Sequence, residues 1–479
     1  MKIQLSDHFT YQRLLHFCLP SIVMMIFTSI YGVIDGLFVS NFVGKIPFAA
    51  INLVMPFIMI LGGFGFMIGT GGSALIAKTL GEGRHELANR YFSMLIIMTV
   101  ILGFFLTTIG IVLARRVSIL LGATDVMLDD CVIYLRTVLL FISPFMLQNV
   151  FQSFLVTAQK PHAGLIVTII AGLTNMSLDA LFIVVFRWGV AGAAVATVSA
   201  QLVSTLGCFA YAFFKYPELH LHSEDWKIER HDIVRHLIQG IPLGLQFSVL
   251  AIGIIVVQSI VVQFDMLGGA MVSNAAQNGF GAANKVNSLL MTPLNGLGSA
   301  MTSFTAQNLG AGDTKRIKKG TVQSIIIMLI MAACSILIGL LLTIDGTYLR
   351  IFLSADKVTA ETIRFGNSYL YVDLSLYGFL GFIFVARNCV QGIGKPQFVL
   401  GAGAAELVAR VAVCLLLPAA LAGGMVSAQA PQAAVYGLCV ADPCAWIAAD
   451  AVLCIPFIKN IIRENYDYLY GSGQKLIER

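Results

Sequence analysis

The chain has 479 residues, 58% of them hydrophobic and only 11% charged, with a mean hydropathy of +0.85. A soluble domain carries about 25% charged residues, so a water-soluble globule is excluded and an integral membrane protein with many spans is indicated. The net charge of +5 reflects loop lysines and arginines without a basic patch interleaved with aromatics, which argues against a nucleic-acid partner.

The apolar runs are continuous rather than alternating, so the spans are helices and not barrel strands. The first residues, MKIQLSDHFTYQRLLHF, are short and polar, and no small-residue cleavage site follows them. The first apolar run is therefore expected to stay as the first span. Runs of roughly 20 residues place spans near 14–39, 48–72, 92–114, 131–154, 163–186, 190–214, 237–263, 275–303, 321–344, 360–386, 398–420 and 433–458. The eighth is Gly- and Asn-rich and ranks low on hydropathy; the internal repeat described below requires it.

Lysine and arginine set the expected orientation. Breaks after even-numbered spans hold Lys78, Arg84, Arg90, Lys160, Lys215, Lys227, Arg230, Arg235, Lys315, Arg316, Lys318, Lys319 and Lys395. With the two ends of the chain, about 19 of the 30 basic residues lie on that side and about 8 on the other, which makes it the cytoplasmic side. Asp125, Asp129 and Asp130 then fall outside.

The chain reads as two copies of one unit. LPSIVMM, with Pro20, recurs as IPLGLQF, with Pro242. ALIAKTLGEGR recurs as SFTAQNLGAGD, so that Ala77, Leu80, Gly81 and Gly83 match Ala306, Leu309, Gly310 and Gly312. TAQKP, ending at Pro161, recurs as QGIGKP, ending at Pro396. The three matches keep their order, each about 220 to 235 residues apart. Six spans per copy is an even number, so both copies enter from one side. The fold class expected is an all-α membrane protein of twelve transmembrane helices in two pseudo-symmetric six-helix lobes. The first lobe takes residues 1–215, a charged linker 216–232 and the second lobe 233–479.

Gly62, Gly63, Gly65, Gly69, Gly71 and Gly72 crowd the second span, for close packing or for bending. The GxG after spans two and eight follows a span rather than a strand and lacks a GK[ST] ending, so a helix cap is expected there and not a phosphate loop. The nine cysteines show no CxxC or Cys/His spacing and are expected to be apolar packing residues.

The chemistry lies in acids inside the spans. Asp35 interrupts IVMMIFTSIYGVIDGLFVSNFVG, where a carboxylate costs roughly 3 kcal/mol on insertion scales and marks a functional site. Tyr31 and Thr28 lie one and two turns back from it. Asn175 and Asp179 stack four apart in the fifth span, and Thr197 and Ser199 bring hydroxyls into the sixth. Oxygen ligands of this kind suit Na⁺, and paired carboxyls suit a proton, because two buried acids side by side cannot both ionise without a counter-charge. The alternative is that each acid merely fixes packing through a neighbouring Thr or Asn. In the second half, Glu406 and Arg410 stand i, i+4 and are expected to form a structural ion pair. Asp373, among aromatics in YLYVDLSLYG, is expected either to meet a cationic substrate or to serve packing. Lys285 is left between snorkelling, pairing with an acid and a misplaced boundary. Arg387 ends the tenth span, and His162 is expected to be solvated.

YGVIDGLFVSNFVG, ALIAKTLGEGR, AQNLGAGDTKR, QGIGKP and GLCVADPCAWIAA together resemble the multidrug and toxic compound extrusion (MATE) family over essentially the whole chain. The resemblance implies two six-helix lobes that rock about a central cavity, exporting cationic amphipathic drugs in exchange for Na⁺ or H⁺. In members with a first-lobe cation site, an Asp in span one, an Asn and Asp four apart in span five and a Thr in span six hold the ion. Asp35, Asn175, Asp179 and Thr197 match that pattern. The branch with a Glu in the seventh span is not matched, because GLQFSVLAIG has Gln246 there; Asp373 matches the acid of the tenth. The expected site is therefore Asp35, Asn175, Asp179 and Thr197 for Na⁺ or H⁺, with Tyr31, Gln246 and Asp373 facing the substrate cavity. No catalytic residue and no cofactor beyond the coupling ion are expected. The expected setting is the plasma (inner) membrane as a multi-pass monomer with both termini cytoplasmic. A flippase for a lipid-linked substrate or an exporter of an endogenous metabolite is the alternative. A membrane enzyme lacks a catalytic cluster here, and a channel lacks a filter motif.

Overall fold

Runs rich in Leu, Ile, Met and Phe have no water to satisfy their backbone in lipid, so each closes its own hydrogen bonds as a helix. A computed structural model of the chain describes residues 11–215, 230–353 and 357–466. The first half contains α1 (Tyr11–Phe38), α2 (Lys45–Gly81), α3 (His85–Leu120), α4 (Asp125–Leu140), α5 (Ile142–Thr157), α6 (Pro161–Asp179) and α7 (Gly189–Lys215). The second contains α8 (Arg230–Gln263), α9 (Ala275–Gly310), α10 (Thr314–Thr343), a short α11 (Leu349–Phe352), α12 (Ala360–Ser375), α13 (Tyr377–Gly392), α14 (Pro396–Ala422), α15 (Gln432–Cys439) and α16 (Ala441–Pro456). A two-residue antiparallel ribbon, Met266–Leu267 with Ala270–Met271, joins α8 to α9. The linker expected at 216–232 lies outside the described residues up to 229, and Arg230 opens α8.

Among the described residues nine helices are long and apolar enough to cross a bilayer, and the bent pairs α4–α5 (55°) and α12–α13 (54°) add two crossings. The remaining crossing is α9, the polar segment. It tolerates its Asn and Gly residues because α1, α2, α10, α12 and α13 pack around it. Its partners, rather than lipid, meet its side chains.

The internal repeat is present in backbone detail. The breaks in the bent pairs fall at Phe141 (φ −116°) and Leu376 (φ −115°). Lys160–Pro161 and Lys395–Pro396 start α6 and α14 alike, with Pro in the first turn where its missing N–H costs nothing. Gly83 and Gly312 both take φ +75° and close α2 and α9: the Gly83 and Arg84 N–H groups donate to the Leu80 and Thr79 carbonyls, and those of Gly312 and Asp313 to Leu309 and Asn308. This is a left-handed helix cap, for which glycine is the unstrained residue.

Two apolar cores result, one per half, and each reaches into the first helix of the other. Leu14, Phe17, Cys18 and Ile22 of α1 belong to the second core, while Ile233 and Leu237 of α8 pack on the first. The glycines of α2 serve close packing: a Cβ on Gly65 or Gly69 would meet the backbone of Met146 or Val150. All nine cysteines are free, and most are buried.

Candidate functional site

Asp35 and Asp179 reach one another because α1 and α6 pack side by side. Each acid also lies just before a single π-helical turn, Val39–Val43 after α1 and Ala180–Val185 after α6. These two turns touch. A π turn re-aims the residues around it and occurs often at functional sites. The two carboxyls stand beside each other, at 9% and 0% exposure. Asn175, one turn before Asp179, is equally buried. Tyr134 of α4, which the sequence analysis did not single out, is buried beside both acids and Thr197 of α7. The structure thus brings together all four residues of the expected cation site and adds a phenol.

Most of these groups lack partners. Asp35 Oδ1, both Asp179 carboxyl oxygens, Asn175 Oδ1 and Nδ2, and Thr197 Oγ1 are buried without a hydrogen bond among the described residues. Buried polar groups are almost always paired, and a cluster of unpaired oxygens from three helices has the chemistry to take up a proton or a hard cation. No group of three or more His, Cys, Asp or Glu that could hold a metal ion occurs among the described residues, and the oxygen-only set does not suit a transition metal.

Between the halves lies a cavity of about 300 Å³. Its apolar lining includes Met24, Met25, Phe66, Phe280, Met291 and Trp446, and its polar lining includes Gln246, Asn284, Glu406, Arg410 and Asp442. Of the three residues expected to face it, Gln246 is among its lining and Tyr31 and Asp373 are not. Tyr31 turns into the first half, within hydrogen-bonding range of Thr28 and Gln148 and beside Asp35. Asp373 turns into the second half, where its Oδ2 accepts from Asn287 Nδ2 at 2.8 Å.

The pair expected between Glu406 and Arg410 is part of a larger network. Glu406 accepts from Arg387 at 2.7 Å and from Arg410 at 3.1 Å, and Arg410 Nε lies 2.7 Å from Asp442. Tyr369 donates to Asp442 at 3.0 Å and accepts from Asn287 at 3.3 Å. Asp442 and Asp450, both in α16, carry the same signal as Asp35, an acid within an apolar run, and were passed over. Lys285 sits 5.6 Å from the Phe48 ring centre and 5.5 Å from that of Phe352. It makes cation–π contacts, and no ion pair to it occurs among the described residues.

Two repeated helical halves with a cavity between them and buried carboxyls in each define a membrane transporter. The MatE family model matches residues 20–181 and 251–416, more than half of the chain, and the chain belongs to the MATE family of transporters. It is 25% identical over 398 residues to the probable multidrug resistance protein YpnP of Bacillus subtilis (strain 168), covering 81% of this chain and 84% of that one. It is 25% identical over 422 residues to an FAD transporter of Shewanella oneidensis, covering 86% and 88%. Its fold is similar to the solved outward-facing conformation of a multidrug resistance MATE family transporter of the MOP superfamily. That match has a TM-score of 0.82 at 20% identity and covers 95% and 98% of the two chains.

Proposed function

We propose that this transporter exports cationic amphipathic compounds in exchange for Na⁺ or H⁺, bound by Asp35, Asn175, Asp179 and Thr197 with Tyr134 closing the site. The observation that carries this reading is the set of buried, unpaired oxygens from α1, α6 and α7 converging on two facing carboxyls. In this reading, a bound cation cancels their charge and relieves their mutual repulsion, which biases the position of α1 between Pro20 and Gly32. Because the lower part of α1 packs in the second core, that bias reaches the interface where substrate sits. Both termini and the Lys-rich loops would lie in the cytoplasm of the cell whose plasma membrane holds the chain.

The test is export of a fluorescent cation such as ethidium from proteoliposomes, with Na⁺ and pH gradients imposed separately. One of the two gradients should drive export in the parent protein. Asp35→Asn and Asp179→Asn should each lower gradient-driven export at least about a hundredfold, on the order of the 3 kcal/mol at stake, while inserting normally. Normal export by both variants would defeat the reading.

A second reading takes an anionic metabolite as the substrate. Arg387 and Arg410 on the cavity wall favour it, as does likeness to a relative named an FAD transporter. Both guanidiniums are already paired with carboxylates, which leaves the wall without excess positive charge. The same proteoliposomes loaded with a flavin dinucleotide decide between the two.

A further inference from the structure

Leaving out exposed groups such as Glu361 and Arg364, the inward-facing ionisable side chains of α12–α16 include four carboxyls, Asp373, Glu406, Asp442 and Asp450, and two guanidiniums, Arg387 and Arg410. Glu406 and Asp442 take both arginines, and Asp373 has Asn287. Asp450 has nothing: it is 6% exposed, and neither carboxyl oxygen has a hydrogen-bond partner among the described residues. Arg387, 3% exposed, likewise has an unpaired Nε while its terminal nitrogen holds Glu406. A charge left unpaired at that depth costs several kcal/mol, so the excess negative charge must be cancelled.

The groups bearing on Asp450 are few. Arg387 of α13 and Glu406 of α14 act on it across helices, and Cys454 stands one turn along its own helix. From α12 and α15, Asp373 and Cys439 bear on Asp442 instead. Among the described residues, Arg387 of α13, which packs on α16, is therefore the cation that Asp450 shares with a residue of the cavity wall.

We propose that Asp450 is a proton site of the second half that competes with a cationic substrate through Arg387. With Asp450 protonated, Arg387 stays on Glu406. When a cationic substrate enters, Glu406 turns its Oε2 to the substrate, keeping Arg410 on Oε1. Arg387 moves to Asp450, and the Asp450 proton leaves to water. One positive charge enters and one leaves, so the interior keeps its net charge throughout. Proton and substrate then exclude one another without meeting, and Trp446, Phe280 and the cavity methionines supply the apolar face of the same substrate site. This extends the reading of the substrate as a cation, and it does not depend on the acids of the first half.

The experiment is ethidium binding to the purified full chain, followed by anisotropy across pH, in an Asp35→Asn, Asp179→Asn background that removes the other proton site. The dissociation constant should fall about tenfold per pH unit over the range where Asp450 titrates, as one proton released per cation requires. Weakly buffered samples should show that proton on ethidium addition. Asp450→Asn should flatten the pH profile and abolish the release, while Asp450→Glu restores both. A profile and proton release unchanged by Asp450→Asn would overturn the proposal, whatever the first-half variants do to export. If Asp450→Asn does not fold, Arg387→Gln decides. It frees Glu406 permanently, so the tight, high-pH affinity should hold at every pH, and a retained slope would overturn the proposal. Loss of ethidium binding altogether, with flavin binding kept, would instead overturn the cationic reading on which it rests.

Discussion

A carboxylic acid inside a helical bundle is defined by what stands beside it. Asp373 has a donor: Asn287 gives it one bond at 2.8 Å, and the Tyr377 hydroxyl donates to Asn287 Oδ1. Removing that acceptor leaves one N–H of the Asn287 amide unpaired in a dry interior, while the other still reaches Tyr369. Asp373→Ala should therefore destabilise the folded protein by about 1–3 kcal/mol, read as a lower midpoint of thermal unfolding in detergent. An unchanged midpoint would show that the amide finds another partner at no cost. Asp179, by contrast, has no hydrogen-bond donor among the described residues, and its position opposite Asp35 is the stronger indication of use. Both acids were legible in the sequence from their depth in apolar runs, and so was the stacking of Asn175 on Asp179. Tyr134 was not, because it occupies an ordinary amphipathic position in α4 and its relevance comes only from helices α1, α6 and α7. The placement of Asp373 away from the cavity was equally hidden: whether a residue faces a cleft or the bundle interior depends on helix rotation, which aromatic neighbours in the sequence do not report.

At the scale of elements, the ends of α2 and α9 cross at two glycines. A Cβ on Gly81 would run into the carbonyl oxygen of Gln307, and one on Gly310 into that of Lys78, with Ala74, Ala77 and Ala306 packed between. Nearby, Thr157 and Ser303 share a hydrogen bond at 2.8 Å across the halves. The two halves are thus closed on each other at this end through contacts that tolerate no side chain. Gly81→Val should disfavour the closed crossing by about 1–3 kcal/mol and shift its population about 5- to 150-fold. Spin labels at Arg84→Cys and Lys315→Cys, measured by pulsed EPR, should then show a longer-distance population. A distribution identical to that of the parent would show that the crossing does not hold the halves together. The repeat pointed to these glycines and rescued α9, which hydropathy alone would discard. The bend at Leu376 and the π turns after Asp35 and Asp179 have neither a Pro nor a Gly within them and left no mark in the sequence, whereas Pro144, which cannot donate to the Leu140 carbonyl, marks the bend at Phe141.

For the whole molecule, the unresolved matter of direction follows from charge. The closed crossing carries Lys78, Arg84, Lys315, Arg316 and Lys318, and each basic residue near an anionic cytoplasmic leaflet is worth about 1 kcal/mol. Five such residues outweigh any single opposing loop charge, and Met425, in the loop after α14, is 91% exposed at the other end of that helix from Lys395. In intact cells, a membrane-impermeant thiol reagent should label Met425→Cys and leave Arg84→Cys unlabelled until the membrane is permeabilised. The reverse pattern would place the closed crossing outside.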